Sequence, residues 1–218
     1  MSMWDFEALD NSVLGYQETS IKSTEPTYEP VTLTEAKNYL KVSTSNDDTL
    51  IQALIIATRI QIENECGGLV IVKRNFTQKQ TGGVKQIKLL RDPVNSISSI
   101  TFFEKFDSTG EVLTASDYRF VSENLYHVNS FFKIGRQSDG YQIIFNAGMV
   151  DDTLIGAATA PTALKTAILR YVGFLYENRE EYATTISEGN FSISYNTIVK
   201  NSELKMLLMP YHTGKAVI

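Results

Sequence analysis

Apolar residues along this chain follow a helical period, then an alternating one, then a helical one again. Leu50, Ile51, Leu54, Ile55, Ala57, Thr58 and Ile62 follow with the spacing of a broad helix face. Asn46 or Asp47 caps this segment, Asp48 suits its first turn, and Gly67-Gly68 ends it where a left-handed residue fits. A helix is therefore predicted over 48–66. A shorter one precedes it at Leu33–Leu40, where Thr32 and Glu35 form a capping box.

The period changes at Leu69. Leu69–Gln78, Gln86–Leu90, Ile97–Glu104, Tyr118–Val121, Leu125–Val128 and Tyr141–Asn146 are rich in β-branched and aromatic residues. Turn residues separate them at Gly82-Gly83, Asp92-Pro93, Asp107–Gly110 and Asp139-Gly140. Short strands at this spacing predict a small antiparallel sheet or sandwich. Helical spacing returns at Pro161 and continues through Ala163, Leu164, Ala167, Ile168, Tyr171, Val172, Leu175 and Tyr176, predicting a helix over 161–182. Residues 183–198 read as a hairpin or loop about Glu188-Gly189-Asn190. A last helix runs from about Asn201 and stops before Pro210.

The expected fold is α+β: an α-helical core of about four helices, interrupted by an inserted small antiparallel β-sheet domain. The core takes 31–68 and 159–210, the β domain 69–150. Residues 1–30 are expected to be an extended acidic arm and 211–218 a C-terminal docking tail. Trp4, Phe6 and Leu9, with Val13, Leu14 and Tyr16, are candidate anchors of the arm on a neighbour; the alternative is a mobile tail.

Charge is uneven. Residues 1–30 hold six acids (Asp5, Glu7, Asp10, Glu18, Glu25, Glu29) and one base (Lys22), the whole net charge of −5. The remaining acids (25 − 6 = 19) and bases (20 − 1 = 19) cancel over 31–218. A neutral or acidic body is a poor match for tight phosphate binding and suits a surface past which DNA slides. One basic stretch stands out: Lys73, Arg74, Lys79, Lys85, Lys88 and Arg91 lie in 73–91 with no acid between them. It reads as a solvated strand face, or as a positive patch for an acidic partner or, less readily, DNA.

Chemistry-bearing motifs are missing. His127 and His212 have no paired ligand spacing and form no zinc signature with Cys66, the single cysteine. There is no Gly-x-Gly-x-x-Gly, Walker loop or Gly-x-Ser-x-Gly. The acidic doublets Asp47-Asp48, Asp151-Asp152 and Glu180-Glu181 read as caps or solvated turns. Cys66 sits at a helix C-terminus beside Glu63 and Glu65, which disfavours thiolate. No enzyme activity, cofactor or metal is expected, and no run of apolar residues is long enough to span a membrane.

Several stretches carry a resemblance. They are Glu29–Val42, Asp47–Ile51 with the helix ending at Gly67-Gly68, Pro93–Ile100, Ile144–Gly148, Ala160–Leu169, Leu175–Glu180 and Leu207–Tyr211. In this order, over about 29–213, they resemble the head–tail connector (adaptor) proteins of tailed bacteriophages, in the group similar to the connector of phage HK97. The acidic arm and the 184–197 hairpin depart from the pattern. The resemblance implies a virion protein at the head–tail interface, made in the host cytoplasm. It would form a ring, commonly of twelve copies, under the portal protein, extending the DNA channel and offering a platform to a stopper or tail protein. DNA would pass without sequence-specific binding. It also implies that the C-terminal segment docks on the portal, through Leu207, Leu208, Pro210, Tyr211, Lys215, Val217 and Ile218; the alternative is a disordered tail. The rival readings are a stopper or tail-completion protein of the same connector, and a small DNA-packaging nuclease.

Overall fold

The computed structural model describes residues 19–104, 109–121, 124–128, 132–133, 140–178 and 202–213. Their order is β1 (Thr19–Ser23), α1 (Leu33–Leu40), α2 (Asp48–Glu65), β2 (Arg74–Gln80), β3 (Gln86–Lys88), β4 (Val94–Phe102), β5 (Glu111–Val112), β6 (Tyr118–Val121), β7 (Asn124–His127), β8 (Tyr141–Ala147), α3 (Leu154–Ala158), α4 (Thr162–Glu177) and α5 (Ser202–Leu208), then a 3-10 turn at Met209–Tyr211. The protein is α+β, helices with small antiparallel sheets.

The α1 capping box forms: the Glu35 N–H donates to Thr32 Oγ1 at 3.1 Å and the Thr32 N–H to Glu35 Oε2 at 2.8 Å. Lys165 of α4 reaches the other Glu35 oxygen at 2.7 Å, tying α1 to α4. Asp47 precedes α2 without a capping hydrogen bond and instead accepts from the Tyr176 hydroxyl of α4. α2 and α4 pack face to face through Ile51, Ile55, Ile62, Leu164, Ile168 and Val172, all essentially inaccessible to solvent. Burying each such side chain contributes about 1.5–3 kcal/mol.

Five strands form one sheet in the order β1-β2-β8-β4-β5, and three form a second in the order β3-β7-β6. All named strand pairs are antiparallel. Alternation along β8 buries Tyr141, Ile143, Phe145 and Ala147. Phe145 stacks on its cross-strand partner Phe76, with ring centroids 5.6 Å apart. This second core also takes Ile87, Leu125 and Phe132.

Several predicted boundaries move. Residues 19–23, placed within the arm, are an edge strand registered on β2 from Thr19↔Gln80 to Ser23↔Phe76. The strand predicted from Leu69 starts at Arg74; residues 69–72 instead cross between the two cores, Leu69, Ile71 and Val72 in the helical one and Val70 in the sheet one. β5 and α3 were not predicted, and α4 is described to Glu177. The 183–198 hairpin lies outside the described residues. Tyr211, placed in the tail, closes a 3-10 turn and packs half-buried on the helical core. The Thr213 N–H then donates to the Cys66 carbonyl at 2.9 Å, so the chain is held to the end of α2.

Candidate interaction site

Helix α2, free of charge from Thr49 to Thr58, carries a guanidinium on its buried side at the next position. Arg59 has a fully buried side chain (0% exposed) and donates in three directions: Nε to Glu29 at 2.7 Å, Nη2 to Glu25 at 2.7 Å and Nη1 to Glu63 at 3.1 Å. Glu63, one turn on, also takes a two-pronged contact from Arg74 of β2 (2.6 and 3.1 Å) and the Ile71 N–H at 2.9 Å. The hub therefore joins α2, the first strand of the β part and the strap 24–31 that follows β1. Burial pushes the Glu29 carboxyl up, and the one guanidinium it meets does not offset this against the like charges of Glu63 and Glu25. Arg59 faces the reverse balance. Burial would lower it, but the charge of Glu63 and the bonds to Glu29 and Glu25 hold it above its ordinary value.

The strap has a second fastening. The Asp152 carboxylate accepts from the Thr27 N–H at 2.9 Å and the Tyr28 N–H at 3.0 Å. Partial burial alone would raise Asp152, but these backbone bonds outweigh it and hold it below the usual aspartate range; Glu35 is likewise lowered, burial being outweighed by Lys165 and Thr32. Both folded values lie below the unfolded ones of 3.8 and 4.5. The stability they contribute is present above those unfolded values and is lost as pH falls through the folded ones. Resistance to urea is expected to fall between pH 6 and pH 3, and Asp152→Asn to flatten part of that slope. An unchanged slope in the variant would count against the fastening.

The outer face of α2 is of another kind. Leu50, Ile56 and Ile60 are 37–39% exposed, with Ala53 and Ala57 open beside them. From Thr49 to Thr58 there is no charged residue. A helix apolar on both faces is normally covered on both. A second exposed apolar feature is the start of α3, where Leu154 is 63% and Ile155 80% exposed. Sequence reading missed the hub and this tip. The available signals were a charged pair at i and i+4 on the inward face of α2, and Thr153 placed to cap Gly156.

The basic stretch does not form one outward patch. Arg74 is buried on Glu63, and Arg91 turns toward Asn64 at 3.4 Å. Lys73 pairs with Asp151 at 2.7 Å, Lys79 is half-buried, and Lys85 and Lys88 are exposed. The segment's own lack of acids is met by acids from elsewhere in the chain. Of the docking residues, Leu208 is buried in the helical core, Leu207 and Tyr211 pack against it, and Pro210 is exposed. The spacing Leu204, Leu208, Tyr211 continues a helix face inward, which removes Leu208 from any outward surface in this chain. Lys215, Val217, Ile218, Trp4, Phe6 and Leu9 lie outside the described residues. Burial and the charges of Glu65 and Glu63 push the Cys66 thiol up to about 11, which keeps it from acting as a nucleophile near neutral pH. Among the described residues, no group of three His, Cys, Asp or Glu side chains is placed to hold a metal, and no helix is long and apolar enough to cross a membrane.

No family model matches the chain, and no curated protein matches it. Solved structures do. The chain is similar to one in the neck of an empty gene transfer agent particle, computed with C6 symmetry, at a TM-score of 0.64 and 13% identity, over 91% of this chain and 97% of that one. It is similar to one in the neck of the native particle, computed with C12 symmetry, at 0.59 and 14% over 90% and 97%. A chain of the native gene transfer agent virion matches at 0.58 and 13%, again over 90% and 97%. At such identities the likeness is one of fold, and it extends over both the helical and the sheet parts of this chain.

Proposed function

We propose that this protein is a structural, non-catalytic subunit of the neck of a phage-like particle, located at the head–tail interface. More finely, we read it as an adaptor of the HK97-type connector group. Copies form a ring under the portal, extend the DNA channel and give a platform to the stopper or tail. The observation that carries this reading is the fold likeness to neck chains over nine-tenths of the sequence. Two features of the chain agree with it. The outer face of α2 is apolar and exposed, with no covering partner among the described residues, and 31–218 is electrically neutral, which suits a wall past which DNA moves without adhesion. In this reading the helical part, 31–68 and 159–210, forms the ring body and 69–150 an inserted β domain. The portal-docking segment is the chain beyond the 3-10 turn, with Pro210 at its exposed root.

The test is assembly. Purified protein, alone and mixed with the portal of its own particle, is expected to give closed rings by electron microscopy and sedimentation. A subunit that stays monomeric at high concentration and ignores the portal would refute the reading.

A further inference from the structure

We propose that the α3 tip, Leu154 and Ile155, seats on the outer stripe of α2, at Ile56 and Ile60, in the next copy of this chain. This inference rests on the ring reading above and names the contact that closes the ring.

The tip is built to be held outward. Thr153 caps it, with the Gly156 N–H donating to Thr153 Oγ1 at 2.9 Å and the Ala157 N–H to the Thr153 carbonyl at 2.8 Å. Ala157 is buried in the helical core, and Asp151 and Asp152 on its other side are fixed by Lys73 and by the strap. The turn is tight: a Cβ on Gly156 would stand 2.5 Å from the Asp151 carbonyl oxygen. Two large apolar side chains are thus presented on a fixed support, so little conformational freedom is lost when they are covered.

The two surfaces match in chemistry. Thr153 to Leu164 is free of charge, as is Thr49 to Thr58, so neither stretch brings an ion of its own into the contact. By contrast, the exposed apolar residues of the β6–β7 hairpin, Phe120 and Tyr126, are interleaved with exposed Arg119. A subunit does not fill its own stripe with its own tip. Within one chain both stay open, Ile155 at 80% and Ile56 and Ile60 at 37–39% exposed. Two different surfaces, each covered only by the other's counterpart, are the requirement for a head-to-tail contact that closes into a ring.

Disulfide trapping tests it. A mixture of full-length Ile155→Cys chains with Ile56→Cys or Ile60→Cys chains is expected to give crosslinked dimers on oxidation, and chains carrying both cysteines a ladder of multiples. Each single variant alone is expected to give none, the native Cys66 being buried. Ile155→Asp, or the milder Ile155→Ser, is expected to weaken self-association about tenfold or more while melting like the parent. If the parent forms rings but no pair crosslinks and both Ile155 variants assemble normally, the contact is wrong and the ring reading stands. Self-crosslinking of Ile155→Cys alone would show a two-fold contact and overturn the proposal. A parent that never assembles overturns both.

Discussion

Arg59→Met is expected to lower the unfolding free energy by about 3–5 kcal/mol at neutral pH, the usual cost of removing one partner from a buried ionic cluster. Methionine fills much of the same space, so the loss is mainly electrostatic. Glu29 and Glu63 then remain within the fold without the guanidinium they share, while Glu25, whose side chain is largely exposed, is screened and adds least. Glu29 is already raised by burial with Arg59 present. Without it the folded value rises further above the unfolded 4.5, so the folded state binds the proton more tightly than the unfolded state. Variant stability should therefore recover as pH falls through the folded value, and the deficit against the parent should narrow from pH 7 to pH 5. Arg59→Met with Glu29→Gln should regain part of the loss at pH 7. Urea titrations of the three proteins at both pH values decide it. A deficit under about 1 kcal/mol with no pH dependence would mean that the hub is structurally dispensable. Because the hub anchors the strap, the same variant should also expose 24–31 to proteolysis ahead of global unfolding.

The hub also shows where sequence reading stops. Helices α1, α2 and α4 and most strands are legible because each carries its own period: Ile51, Ile55 and Ile62 mark α2, and Tyr141, Ile143 and Phe145 mark β8. β1 is not, since Thr-Ser-Ile-Lys-Ser has one large apolar residue and is a strand only because β2 is there to pair with. The stretch 69–72 looks like a strand in composition, yet its side chains serve two cores and its backbone bonds to Asp92, Met149 and Val150 instead of a regular ladder. The basic run 73–91 looked like one surface because the acids that claim it, Glu63 and Asp151, are distant in the chain. Long-range partners of this kind leave no local trace. The α3 tip differs: Leu154-Ile155 between turn residues is a visible anomaly, but its meaning depends on knowing that the turn is fixed and the pair uncovered.

Gly148→Ala is expected to cost about 3 kcal/mol or more, from backbone strain together with broken hydrogen bonds. Gly148 has φ 148°, a region that side chains rarely tolerate. A Cβ there would lie 2.4 Å from both Cα and N of Lys73 and 2.8 Å from the Val72 carbonyl carbon. All three are backbone atoms, so no side-chain rotation relieves the clash. The two strands of chain that link the helical and sheet cores must instead move apart. They are joined by the Lys73 N–H to the Val150 carbonyl at 2.8 Å, the Val150 N–H to Ile71 at 3.0 Å and the Met149 N–H to Val70 at 3.1 Å, while the Gly148 N–H holds Pro93 at 2.9 Å. Separation by even an ångström takes several of these beyond hydrogen-bonding range. Hydrogen exchange should show the damage locally: the amides of Lys73, Met149 and Val150 lose protection first, while those at the centre of β8 and in α4 lose only what the global loss of stability imposes. In the ring proposed above, the helical and sheet parts of the variant would be coupled less firmly, so the sheet part should scatter more in position by electron microscopy. Parental stability with unchanged exchange at those three amides would show that the crossing accommodates a methyl group and that the two cores are not locked at this point.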